Sequence, residues 1–94
     1  MNVKLKEIID FYNNNQLDRA KTLAEQAILN DPNPNFLNIL GVIYYKQKNN
    51  SEAIKYFEKA YATNSEIPDP YNNIGIIYND LGSYSKAILF FEKA

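Results

Sequence analysis

The sequence predicts an all-α fold of antiparallel helix-turn-helix repeats, about six helices in all, and three observations carry that expectation. The first is a repeat. The stretch LGVIYYKQKNNSEAIKYFEKA, residues 40–60, returns thirty-four residues later as IGIIYNDLGSYSKAILFFEKA. Leu40, Gly41, Tyr44, Ala53, Phe57 and Ala60 recur as Ile74, Gly75, Tyr78, Ala87, Phe91 and Ala94, and Glu58-Lys59 recurs as Glu92-Lys93. A fixed period of this length marks a solenoid, whose units bury their apolar faces only by stacking on one another. The second is spacing. Leu37, Leu40, Gly41 and Tyr44 fall at i, i+3, i+4 and i+7, one stripe of a helix, and Ala53, Phe57, Ala60 and Tyr61 form another beyond a polar break at 46–50. The third is punctuation, because the links between units are short and carry Asn, Asp and Pro.

Along the chain, the first helix is expected to bury Leu5, Ile8, Ile9, Phe11 and Tyr12. Those residues align with Leu37, Leu40, Gly41, Ile43 and Tyr44 at an offset of 32, whereas Ala20 and Ala27 reach Ala53 and Ala60 at 33. One residue should therefore be missing from the turn at 13–16. Ile9 would then stand at the glycine position while Ala24 stands at the position of Phe57 and Phe91, an exchange that conserves volume. In the first link, Asn33 reads as a cap and Pro34 as the first residue of the third helix. Pro68-Asp69-Pro70 reads the same way, with Asp69 as the cap. Asn49 and Glu52 have the spacing of a capping box for the fourth helix, and Gly82 suits the left-handed residue that ends the fifth.

A glycine inside a helix costs ~1 kcal/mol against alanine, so Gly41 and Gly75 require a reason. The expected one is close approach of two helices, with Ala53 and Ala87 as small residues on the facing helix. The sixth helix stops at Ala94, midway by analogy with the second and fourth. Ile77, Leu81, Ile88 and Phe91 are expected to form an open apolar face there, as in the N-terminal piece of a longer array. The chain reads as one array over residues 1–94, with repeats at about 2–33 and 34–67 and an incomplete third at about 68–94.

The pattern Leu40-Gly41, Tyr44, Ala53, Phe57, Ala60, and its copy with Gly82 and Tyr84 at the turn, resembles the tetratricopeptide repeat over nearly the whole chain. That resemblance implies a right-handed α-solenoid that acts as a protein-interaction scaffold, with a partner peptide or helix lying in the concave groove lined by the first helix of each repeat. Matched to the family's groove positions, the first repeat offers Lys6, Glu7, Asp10 and Asn13. The second offers Asn35, Asn38, Ile39, Val42, Tyr45 and Lys46, and the third Asp69, Asn72, Asn73, Ile76 and Asn79. Asparagine both donates and accepts, so it pairs with a peptide backbone without reading side chains. Asn73 matches the asparagine ladder of the O-linked N-acetylglucosamine transferase superhelix, and Ile39 interrupts that ladder. The carboxylate clamp of chaperone-cofactor repeats is absent: Lys6 fits one of its lysines, but Asp10, Ile39, Asp69 and Asn73 fill the other places, and two acids repel a carboxylate. The groove reads as mildly acidic, which favours a neutral to basic segment with an apolar anchor near Tyr45.

Composition narrows the classes further. At 46% hydrophobic and 22% charged residues the chain is ordinary for one globular domain. Ten basic against eleven acidic residues supply no basic face for nucleic acid or an anionic membrane. Without His or Cys there is no imidazole base, no thiol nucleophile and no ordinary zinc site, so no catalytic residues, no cofactor and no metal are expected, and the protein reads as a non-enzyme. The glycines stand singly, so no phosphate-cradling loop exists. The eight tyrosines read as core and not as a stacking platform, because they fall at helical core spacing. Lys4 and Lys6 precede only Ile8-Ile9 before Asp10, so no signal peptide is apparent, no apolar run reaches membrane length, and a cytoplasmic setting is the default. Two further roles stay open: self-assembly into a homo-oligomer through the uncapped end, and service as the N-terminal interaction region of a larger enzyme.

Overall fold

Six helices follow one another through the computed structural model, which describes residues 5–94; Lys4 and the start of the first repeat near residue 2 lie outside the described residues. They are α1 (Leu5–Asn13), α2 (Leu17–Asn30), α3 (Pro34–Lys46), α4 (Asn50–Thr63), α5 (Pro68–Asp80) and α6 (Tyr84–Lys93). Each packs on its chain neighbours. The odd-numbered helices also touch one another, α1 on α3 and α3 on α5, while the even-numbered ones do not meet. The array measures 42 × 26 × 18 Å.

Its core is a series of seams between units. Ile8, Ala20, Ala24 and Ala27 of the first pair meet Leu40 and Ile43 of the second. Ala53 and Phe57 of the second meet Ile74 and Ile77 of the third. The structure corrects the expected open face here: Ile77 is fully buried in the second seam, while Leu81, Ile88 and Phe91 stand exposed. The tyrosines mostly serve the packing, with Tyr44 stacked on Tyr56, Tyr61 on Tyr71 and Tyr78 on Phe90. Such offset stacks add stability beyond the area they bury.

All three turns inside the pairs are one motif of one length. The N–H of Gln16 donates to the Phe11 carbonyl, that of Asn49 to Tyr44 and that of Ser83 to Tyr78, each across five residues. The residues before them, Asn15, Lys48 and Gly82, take φ values of 59°, 64° and 79°. This is the Schellman ending, which satisfies the last carbonyls of a helix through one left-handed residue. The first turn is therefore not short, and the offset between the first two pairs is 33 throughout. Ile8, not Ile9, occupies the glycine position opposite Ala24, and both are fully buried. The volume exchange holds with that one-residue correction.

The glycines also differ from expectation in what they face. A Cβ on Gly41 would sit 2.5 Å from the Phe57 ring, and one on Gly75 2.6 Å from the Phe91 ring. It is a phenyl ring, and not a facing alanine, that needs the space. At the helix starts, Asn33 caps α3 by accepting the Asn35 N–H at 2.8 Å. Asp69 is not a cap, because α5 begins at Pro68 after Ile67 and Asp69 lies in its first turn. There its charge still favours the positive end of the helix. Asn49 accepts the Glu52 N–H at 3.4 Å, half of a capping box. The return half does not form, since the Asn49 N–H is already given to Tyr44 in the Schellman turn.

Candidate partner-binding groove

Helices α1, α3 and α5 stand side by side, so the face they share is the one continuous helical wall of the array. Between α3 and α5 that wall is fastened twice. Asn73 Nδ2 donates to Asn38 Oδ1 at 3.1 Å, in a half-buried setting. The Tyr45 hydroxyl donates to the Asp80 carboxylate. On both helices the two fastenings are seven residues apart, two turns or roughly 10 Å along the axis. Val42, half-buried, and Ile76, 36% exposed, lie between them. The bond to Asp80 comes first, and burial second, in holding the Tyr45 hydroxyl above the usual tyrosine range. Beside it a cavity of about 560 Å³ opens, lined by Tyr45, Lys46, Lys48, Asn50 and Asp80.

The seam between α1 and α3 is unlike this. At the 33-residue offset the counterparts of Asn38 and Asn73 are Leu5 and Ile39, the counterpart of Val42 is Ile9, and those of Tyr45 and Asp80 are Tyr12 and Lys46. Leu5, Ile9, Tyr12, Ile39 and Val42 are all half-buried. The wall is thus apolar over the first seam and amide-rich over the second.

The same offset relocates part of the expected groove. Lys6 stays on it, at the Ile39 and Asn73 position, and pairs with Asp10 at 2.9 Å. Asp10 itself aligns with Ile43 and Ile77, and Glu7 with Leu40 and Ile74. Both acids therefore lie on the outer end of the first pair, where they line a cavity of about 270 Å³ with Phe11 and Asn14. Asn13 remains at the turn end of the wall, beside the positions of Lys46 and Asp80. Asn35, Asn72, Asn79, Lys46 and Asp69 are exposed on α3 and α5. Leu5, Ile9 and Tyr12 were missed by the sequence reading. Carrying the 33-residue spacing of Ala20 and Ala27 back through the turn would have found them. With Glu7 and Asp10 at the outer end and Lys6 neutralised by Asp10, Lys46 stands against Asp69 and Asp80 along the wall.

Among the described residues no group of His, Cys, Asp or Glu is arranged to hold a metal, and no helix is long and apolar enough to cross a membrane. Sequence profiles described as tetratricopeptide repeat match residues 5–71 and, separately, 68–94. No curated protein matches the chain. Two solved structures, titled "Crystal structure of MamA" and "Crystal structure of MamA protein", superimpose with TM-scores of 0.83 and 0.84. They are 21% and 24% identical over 88% and 95% of this chain, a likeness that speaks to fold alone. The chain spans 49% of the length of each. One profile alone matches more than half of the residues, and on that ground the chain belongs to the tetratricopeptide repeat family.

Proposed function

We propose that this chain is a protein-interaction module that holds a segment of a partner protein against the wall of α1, α3 and α5. The observation that carries the reading is the Asn38–Asn73 pair. Each amide spends one group on the other, which leaves the Asn38 NH₂ to donate and the Asn73 side-chain carbonyl to accept elsewhere. A peptide bond offers the matching acceptor and donor. Val42, Ile76 and the apolar strip of Leu5, Ile9 and Ile39 supply the desolvated centre that an interface of this kind needs. With Lys46 against Asp69 and Asp80, the wall suits a neutral to basic segment with an apolar anchor near Tyr45.

The test is a titration. A peptide selected from a random library on the immobilised chain is measured by fluorescence anisotropy against the parent and three variants. Val42→Asp and Ile76→Asp should each weaken binding tenfold or more, because each puts a charge where an apolar group is desolvated. Tyr45→Ala should cost ~1–3 kcal/mol if that ring is an anchor. Lys55→Glu, on the exposed side of α4, should change nothing. Binding that survives both groove charges, or that Lys55→Glu abolishes, overturns the reading.

A second reading, self-association through α6, has one specific observation behind it. Phe57 is 1% exposed under the next unit, and its counterpart Phe91 is 40% exposed.

A further inference from the structure

Most basic side chains of this chain are already engaged. Lys6 pairs with Asp10, and five others each lie over an aromatic ring. Among the described residues that leaves Lys46, Lys48 and Lys55 with neither an acid nor a ring. Two of these three line one cavity, the space of about 560 Å³ at the turn end of the wall. Its acid, Asp80, accepts the Tyr45 hydroxyl and pairs with neither lysine. Lys48 is also held where a lysine is strained. The three turns of one motif place Asn15, Lys48 and Gly82 at the left-handed position. Glycine takes that backbone freely and asparagine tolerates it, but lysine has no such allowance. A residue kept in an unfavourable conformation points to work done by its side chain. Here that side chain borders the cavity.

We propose that this cavity takes a single carboxylate of the partner segment, held between Lys46 and Lys48. The inference rests on the groove reading and adds to it the chemistry of one subsite. Charge decides the class of group. Two ammonium groups against Asp80 leave one net positive charge in the cavity, which one carboxylate cancels and a phosphate dianion overshoots. The subsite is distinct from the carboxylate clamp, since none of Lys6, Asp10, Ile39, Asp69 and Asn73 lines it. A segment that is neutral to basic overall can still set its one acid here, because Asp69 lies at the opposite end of α5.

The test runs the random-library selection in parallel on the parent chain and on a variant carrying Lys46→Gln and Lys48→Gly. Lys48→Gly relieves a strained lysine, so binding lost in the variant is not fold lost, and thermal melts check this. Peptides selected on the parent should carry a carboxylate at a fixed distance from their apolar anchor, and those selected on the variant should not. Replacing an Asp or Glu by its amide, and separately amidating the chain end, identifies which of the two supplies it. That one change should weaken binding to the parent about fivefold and binding to the variant by less than about twofold. Peptides without a carboxylate at a fixed place, or whose carboxylate matters equally to the variant, overturn the inference and leave the groove reading standing. A phosphoserine that binds more tightly in place of the acid overturns the choice of a carboxylate. Peptides indifferent to Val42→Asp and Ile76→Asp overturn the groove reading and the inference with it.

Discussion

One methyl group added at Gly41 should destabilise this chain, and the same group added at Gly75 should not. The two sites look alike at short range. A Cβ at Gly41 would stand 2.5, 2.6 and 2.9 Å from three carbons of the Phe57 ring, and one at Gly75 2.6, 2.7 and 3.1 Å from the Phe91 ring. Ordinary contact begins near 3.4 Å, so either ring has to recede by close to an ångström. What differs is where the ring can go. Phe57 is 1% exposed and held in a seam with Ala53, Ile74 and Ile77, and interiors at this density have little slack. Phe91 is 40% exposed and swings toward solvent. Both variants gain the same ~1 kcal/mol of helix propensity, which cancels between them. Overpacking of ~1–3 kcal/mol falls on Gly41→Ala alone. In a domain of this size each kcal/mol moves the melting temperature by about 4–8 °C, so thermal melts of the two variants should separate clearly. Adding Phe57→Leu to Gly41→Ala should recover part of the loss, a coupling that marks two groups in contact. Equal melting temperatures, or Gly41→Ala melting above Gly75→Ala, would refute the reasoning.

Three further outcomes follow from the local geometry. Lys48→Gly should raise the unfolding free energy measured in urea by up to ~1 kcal/mol, because a left-handed backbone burdens lysine and not glycine. Asn33→Ala should lower it by ~1 kcal/mol as a lost cap, while Asp69→Ala should change it by well under that, since Asp69 caps nothing. Tyr45, whose folded-state pKa is raised, adds stability that is fully present below the unfolded value near 10 and is lost as pH rises through the folded value. Ultraviolet titration of Tyr45→Phe should therefore lack one late-ionising tyrosine of the parent, and its stability above pH 10 should fall less steeply.

The architecture was legible because two copies of one pattern sit side by side in the sequence. Gly41 with Phe57 and Gly75 with Phe91 repeat at one spacing, and a spacing that recurs in six places has few structural explanations. The divergent first pair was where the reading slipped. Ile8 and Ile9 are both apolar and adjacent, so either fits the stripe, and helical periodicity cannot separate neighbours of the same character. The Schellman turn decided it, through hydrogen bonds that depend on backbone geometry and accept Asn15, Lys48 or Gly82 alike. The same slip moved Asp10 and Glu7 onto the groove and kept Ile9 and Tyr12 off it. Gly41 was recognised as a site of close approach, but its partner was not, because which side chain fills a gap depends on the crossing of two helices. The pairing of Tyr45 with Asp80 and of Asn38 with Asn73 joins residues 35 apart. No local pattern announces a bond of that kind; only the stacking of α3 on α5 creates it.

The groove claim is tested most directly by amide chemical-shift mapping. The ¹⁵N-labelled chain is titrated with the peptide selected on it, and the backbone and side-chain amide shifts are followed to saturation. The account predicts that the largest changes fall on the Asn38 and Asn73 side-chain amides and on the backbone of Val42, Tyr45 and Ile76, with α2, α4 and α6 little moved. Changes concentrated on α2 and α4, with the two asparagine side chains silent, would contradict it.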